Sequence, residues 1–148
     1  MISTPNSVRV SQTICASADS LFDAWTDPQK LMHWWRQAAE GWAFAAASID
    51  LRVGGRYRLA MTAPDGKLHA AVGEYRQIER PIRLIFTWDW GEPASSVGDT
   101  LVSVEFKDAG GNRTEVVVTH ERFADPARRG RHKQGWTELL TLLERAVA

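Results

Sequence analysis

From residue 43 to residue 122 apolar and polar side chains alternate with period two, and a helical stripe follows. The stripe is Trp136, Leu139, Leu140, Leu143 and Val147, spaced i, i+3, i+4, i+7 and i+11. Half-buried strands have one apolar face and an amphipathic helix has one apolar stripe, so each must cover the other. These patterns predict an α+β fold, a curved antiparallel sheet of six to seven strands wrapped on a long C-terminal helix. A cavity can remain between sheet and helix.

Strands are expected near 43–50, 56–63, 68–79, 82–90, 100–107 and 113–122, with a further one at 8–15 carrying Val8, Val10 and Ile14. Gly54-Gly55, Pro64-Asp65-Gly66-Lys67 and Gly110-Gly111-Asn112 have hairpin turn chemistry, and Arg80-Pro81 separates two strands. Two short helices should lie between the first strand and the meander. Ser17 can cap one, with Asp19 in its first turn and Leu21, Phe22 and Trp25 on one face. Asp27-Pro28 begins the other, running through Leu31, Met32 and Trp35, and the last helix should extend from about 126 to 148.

The chain has 148 residues, 44% of them hydrophobic and 24% charged, which fits one globular domain over 1–148. Eighteen basic residues balance eighteen acidic ones, so no global field favours nucleic acid. Cys15 is the only cysteine, which excludes an internal disulfide and a Cys-rich metal site. No apolar run approaches the ~20 residues of a membrane span, and the start lacks a signal-peptide pattern; the expected location is the cytoplasm.

Seven residues are Trp: Trp25, Trp34, Trp35, Trp42, Trp88, Trp90 and Trp136. An indole carries a large apolar surface and one N–H that wants a partner, so this many must be buried or line a concavity. Trp25 and Trp136 lie on explicit helical stripes and are expected in the core. The paired and alternating ones are expected to border a pocket.

His120 is the foremost polar candidate, because it shares parity with Thr114, Val116 and Val118 at the end of an interior row. Its plainer role is a strand-end histidine bonded to backbone. His33 is expected to face partly into solvent, His132 to pack or cap near a helix start, and His69 shows no partner. Glu74 has ambiguous parity beside Gly73, whereas Asp89 and Glu105 should point outward, with Arg58, Arg76 or Arg83 as cross-strand partners. The basic run 128–133 is expected to be a solvated lead into the last helix. Histidine spacing gives no metal site, and no nucleophile elbow or phosphate loop is present, so no cofactor is expected.

Leu21-Phe22-Asp23-Ala24-Trp25-Thr26-Asp27-Pro28, Leu31 with Trp34-Trp35, and Val53-Gly54-Gly55-Arg56-Tyr57 are followed in order by Pro64-Asp65-Gly66 and Gly73-Glu74-Tyr75. Leu84-Ile85-Phe86-Thr87-Trp88 and Gly135-Trp136 complete the series. This set resembles the bacterial family similar to the C-terminal domain of the heat-shock protein 90 ATPase activator, within the START-like (SRPBCC) superfamily. The resemblance covers about Val8 to Val147 and implies a helix-grip fold that binds a small apolar or amphipathic molecule in most members and catalyses a reaction in some.

The expected function is therefore a cytoplasmic binding domain for such a molecule. Trp35, Tyr57, Leu59, Met61 and Phe86 would form part of the wall, and Trp88, Val118, Trp136 and Leu140 the rest, with His120 orienting the ligand. An alternative is an enzyme of cyclase, dehydratase or hydrolase type with His120 or Glu74 as general base. A third is a co-chaperone-like module that docks through one sheet face. The resemblance also implies a possible homodimer through the outer face of the sheet.

Overall fold

A computed structural model describes residues 7–34, 43–90, 100–121 and 126–147, excluding the side chains at 44, 90, 126–132, 134, 135 and 147. The elements are β1 (Val8–Ile14), α1 (Ala18–Thr26), α2 (Pro28–Trp34), β2 (Ala43–Ile49), β3 (Arg56–Thr62), β4 (Leu68–Glu79), β5 (Arg83–Trp90), β6 (Thr100–Gly110), β7 (Arg113–Glu121) and α3 (Pro126–Val147). One antiparallel sheet of seven strands runs in the order β1-β7-β6-β5-β4-β3-β2. The first two strands in sequence thus occupy opposite edges, with α1 and α2 between them in the chain. This is the α+β helix-grip arrangement.

Local chemistry sets the element ends. The Ser17 hydroxyl accepts the Ser20 N–H at 3.2 Å and caps α1, while Asp27 stands in extended backbone with its carboxylate accepting the Gln29 N–H at 2.9 Å. Pro28 then opens α2, where its missing N–H costs nothing. β6 runs farther than the 100–107 expected, because it pairs with β7 as far as Gly110↔Arg113. Gly111 and Asn112 between them have φ of 61° and 59°, the two positive values that a tight hairpin turn of matching twist requires.

Alternation divides each strand between two faces. Leu84, Phe86 and Trp88 of β5, Val102, Val104 and Phe106 of β6, and Val116, Val118 and His120 of β7 are buried on the inner face. α3 lays Trp136, Leu140 and Leu143 against the inner face, and all three are buried. Each such side chain contributes about 1.5–3 kcal/mol by leaving water. Gln12 of β1 donates to Glu144 at 2.9 Å and ties α3 to the sheet edge. On the outer face Arg83 meets Glu105 at 3.3 Å. Among the described residues no helix is long and apolar enough to cross a membrane.

One glycine is required by close approach. Tyr57 stands opposite Gly73, and its hydroxyl donates to the Thr87 carbonyl at 2.5 Å. A Cβ at position 73 would lie 1.9 Å from that carbonyl oxygen and 2.6 Å from the Tyr57 hydroxyl. Only a residue without a side chain lets the ring pass.

Candidate functional site

The interior between sheet and helices is filled by a column of indoles. Trp34 of α2 donates its ring N–H to the Ala24 carbonyl of α1 at 2.8 Å, and its ring centroid is 4.9 Å from that of Trp25. Trp25 stacks on Trp136 of α3 at 6.4 Å and 18°, Trp136 meets Trp88 of β5 at 5.5 Å, and Trp88 meets Tyr57 of β3 at 6.4 Å. Helix spacing puts Trp25 and Trp136 on buried stripes, and strand parity turns Trp88 and Tyr57 inward to meet them.

Beside this column a void remains, lined by Trp25, Leu31, Ile49, Tyr57, Leu59, Tyr75, Phe86 and Trp88. It leaves about 20 Å³ for the centre of a water-sized sphere, the room for roughly one water molecule. Its walls come from α1, α2 and four strands. Two of them are slight: Ile49 belongs to the edge strand β2, whose sequence is AFAAASI, and Leu31 to the seven-residue helix α2.

His120 is fully buried at the end of β7 and has a complete proton inventory. The Trp136 indole N–H donates to Nδ1 at 3.0 Å, so Nδ1 carries no proton and Nε2 carries the hydrogen of the neutral ring. Nε2 then donates to the Thr100 hydroxyl at 2.8 Å, and Thr100 donates to the Trp88 carbonyl. The expectation of a histidine bonded to backbone is therefore corrected: its partners are side chains from β6 and α3, which the fold brings to it. A proton added at Nδ1 would displace the indole bond.

The chain's two tyrosines are both at the void. Burial pushes the Tyr57 phenol well above its ordinary range, with smaller contributions from Tyr75 and Asp89. Burial likewise raises Tyr75 strongly. Both are neutral donors at physiological pH.

Glu74 lies on the other side of the sheet. It stands opposite Arg56, pairs with Arg76 at 3.4 Å, and lines an open trough of about 820 Å³ with Arg58, Thr87 and Asp89. Its ambiguous parity resolves outward because the register shift in β4 falls after Tyr75, beyond Gly73. The two candidate bases thus occupy opposite faces and cannot act on one substrate atom. Asp89 and Glu105 face outward as expected, and Arg76 meets Glu74 along its own strand, not across strands.

Of the proposed wall, Tyr57, Leu59, Phe86 and Trp88 converge on the void. Met61, Val118, Trp136 and Leu140 are buried in the surrounding core and do not line it. Trp35 and Trp42 lie outside the described residues, as do the side chains of Trp90, His132 and the basic run up to Arg131, while Lys133 is exposed. His33 is exposed on α2 and His69 is half-buried opposite Met61. The residues that sequence reasoning missed are Leu31, Ile49 and Tyr75, together with Trp25, which it assigned to the core alone. Tyr75 had a signal: it shares parity with Ala71 and Gly73, so an outward Glu74 implies an inward Tyr75.

A profile of the family described as Activator of Hsp90 ATPase homolog 1-like protein matches residues 15–148. No curated protein sequence matches. Among solved structures, a protein from Chromobacterium violaceum is 23% identical with a TM-score of 0.83, and the alignment covers 97% of this chain and 98% of that one. An AHSA1-like protein from Aeromonas hydrophila is 28% identical with a TM-score of 0.76, covering 95% and 92%. The AHSA1 protein from Silicibacter pomeroyi is 23% identical with a TM-score of 0.79, covering 94% and 95%.

Proposed function

The chain belongs to the Activator of Hsp90 ATPase homolog 1-like protein family, and within it we propose a binding domain for a small apolar or amphipathic molecule held beside the indole column. The observation that carries this reading is the void, lined among the described residues by aromatic and aliphatic side chains from six elements. At about 20 Å³ it has room for one water, yet its apolar walls offer too few polar partners to hold one well. A ligand displaces little bound water there. To seat anything larger the wall must yield, and the parts to test are Ile49 on the alanine-rich edge strand, which has one strand neighbour, and Leu31 on the seven-residue helix. We take the compartment to be the cytoplasm, in keeping with the single exposed Cys15.

Titration with N-phenyl-1-naphthylamine, a neutral probe that fluoresces when desolvated, tests this. Ile49→Ala widens the void and should tighten probe binding, and Trp88→Ala should weaken it in protein that circular dichroism shows to be folded. Equal affinity in the wild type and in Ile49→Ala would sink the reading. Native mass spectrometry of whatever co-purifies identifies the natural ligand.

A further inference from the structure

We infer that the outer face of the sheet carries a second site, in which Arg56 and Arg58 of β3 hold the phosphate dianion of a small monoester whose apolar body lies on Val72, Ile85 and Leu101. The site lies across the sheet from the void and does not rest on the reading of the void as a binding site.

Strand parity sets the two guanidiniums side by side. Arg56 and Arg58 stand at i and i+2 of β3, so both project from the outer face, about 7 Å apart at the backbone, and both are exposed. On the same face Arg76 meets Glu74 at 3.4 Å and Arg83 meets Glu105 at 3.3 Å. Arg56 and Arg58 make no side-chain hydrogen bond or ion pair among the described residues. Register explains this for Arg58, whose cross-strand neighbours are Ser48 and Val72, neither of them acidic. Arg56 stands opposite Glu74, but that carboxylate is paired with Arg76.

Both arginines border the trough of about 820 Å³. Its described lining sets three arginines against two carboxylates, an excess of positive charge in a protein whose formal net charge is zero. Of the two acids, Glu74 is the one held by Arg76, and Asp89 lies two strands from Arg58 with Val72 between them. That separation is about 10 Å, the range over which physiological salt screens exposed charges. Two adjacent guanidinium forks match the charge and the several acceptor oxygens of one phosphate dianion, whereas a lone carboxylate occupies a single fork. The Ser48 hydroxyl, opposite Arg58 in the same lining, adds a donor.

Val72 of β4, Ile85 of β5 and Leu101 of β6 are half-buried and, being shorter than the arginines, form the floor of the trough. An aryl or alkyl body laid on them leaves water while its phosphate meets the guanidiniums. A floor recessed below the charges suits a small soluble ester, since a planar lipid surface cannot reach it.

Titration of ¹⁵N-labelled protein with phenyl phosphate, read by backbone amide shifts, tests the site. Wild type should show saturable shifts centred on Ser48, Arg58, Val72 and Thr87. Arg58→Gln and Arg56→Gln should each weaken binding about tenfold, the worth of one charge-assisted hydrogen bond. Arg113→Gln, which removes the same charge four strands away, should leave it unchanged. Affinity should also fall as the pH drops through about 6, where a phosphate monoester loses its second charge. Absence of saturable binding overturns the site, as does an affinity unchanged in both trough variants or lowered equally by Arg113→Gln. Shifts confined to the indole N–H groups would put the compound in the void and overturn it too. Arg58-dependent binding to phosphatidic acid vesicles, with none of the soluble ester, would overturn the small ligand in favour of a membrane. N-phenyl-1-naphthylamine should bind Arg58→Gln as it binds wild type, so either site can fail without the other.

Discussion

Replacing Thr100 by Val isolates the buried chain that runs from Trp136 through His120 to the Trp88 carbonyl. Thr100 is fully buried, and valine reproduces its shape while removing a hydroxyl that accepts from His120 Nε2 at 2.8 Å and donates to the Trp88 carbonyl. The imidazole N–H is then left without that acceptor, and the carbonyl loses a donor. An orphaned buried polar group costs about 1–3 kcal/mol, so Thr100→Val should lose roughly 2–4 kcal/mol. Thr100→Ser keeps the hydroxyl and removes one methyl, at a cost of about 1 kcal/mol. At roughly 2–4 °C per kcal/mol for a domain this size, Val should lower Tm by about 4–15 °C and Ser by only a few degrees. Urea unfolding at pH 7 gives both values, and ¹⁵N shifts of the imidazole should show hydrogen on Nε2 alone. A valine variant at least as stable as the serine variant would refute the hydroxyl–imidazole bond and the tautomer deduced from it.

Gly73→Ala places a Cβ 1.9 Å from the Thr87 carbonyl oxygen, a backbone atom that cannot step aside cheaply. It should cost about 3 kcal/mol or more in urea unfolding, and a loss under about 1 kcal/mol would show that β4 and β5 separate freely. Folded-state burial raises both tyrosines above their ordinary value of 10.0, so the folded protein holds protons that the unfolded chain releases. Their contribution to stability is whole below about pH 10 and is lost as the pH rises beyond it. Tyrosinate absorbance at high pH should therefore rise only with unfolding, and ionisation in protein still folded by circular dichroism would contradict the burial. Asn112 has φ of 59°, so Asn112→Ala should cost about 1 kcal/mol in thermal unfolding while Asn112→Gly costs almost nothing. Equal losses in the two would argue against a backbone origin.

Much of the fold was legible because its signals are local. The alternation along 83–90 and 100–106 predicts which side chains face inward, and Asp27-Pro28 predicts where one helix stops and the next starts, since parity and caps depend on residues a few positions apart. The extension of β6 to Gly110 was not marked by apolar alternation; it follows from the turn closing at Gly111-Asn112. Glu74 could not be assigned a face from sequence, because a bulge in β4 has no composition signal that fixes its position.

The amino-acid sequence by itself determined the six-strand meander β2–β7, the inward stripe of α3 and the burial of Trp25 and Trp136, since each follows from spacing along the chain. Only the tertiary structure decided how much space those side chains leave and which polar groups they satisfy. His120 finds Thr100 and Trp136 at 20 and 16 residues' separation, and four indoles from two helices, a strand and the last helix meet in one column. Void volume is a small difference between large packed volumes contributed by distant segments, so no local pattern encodes it.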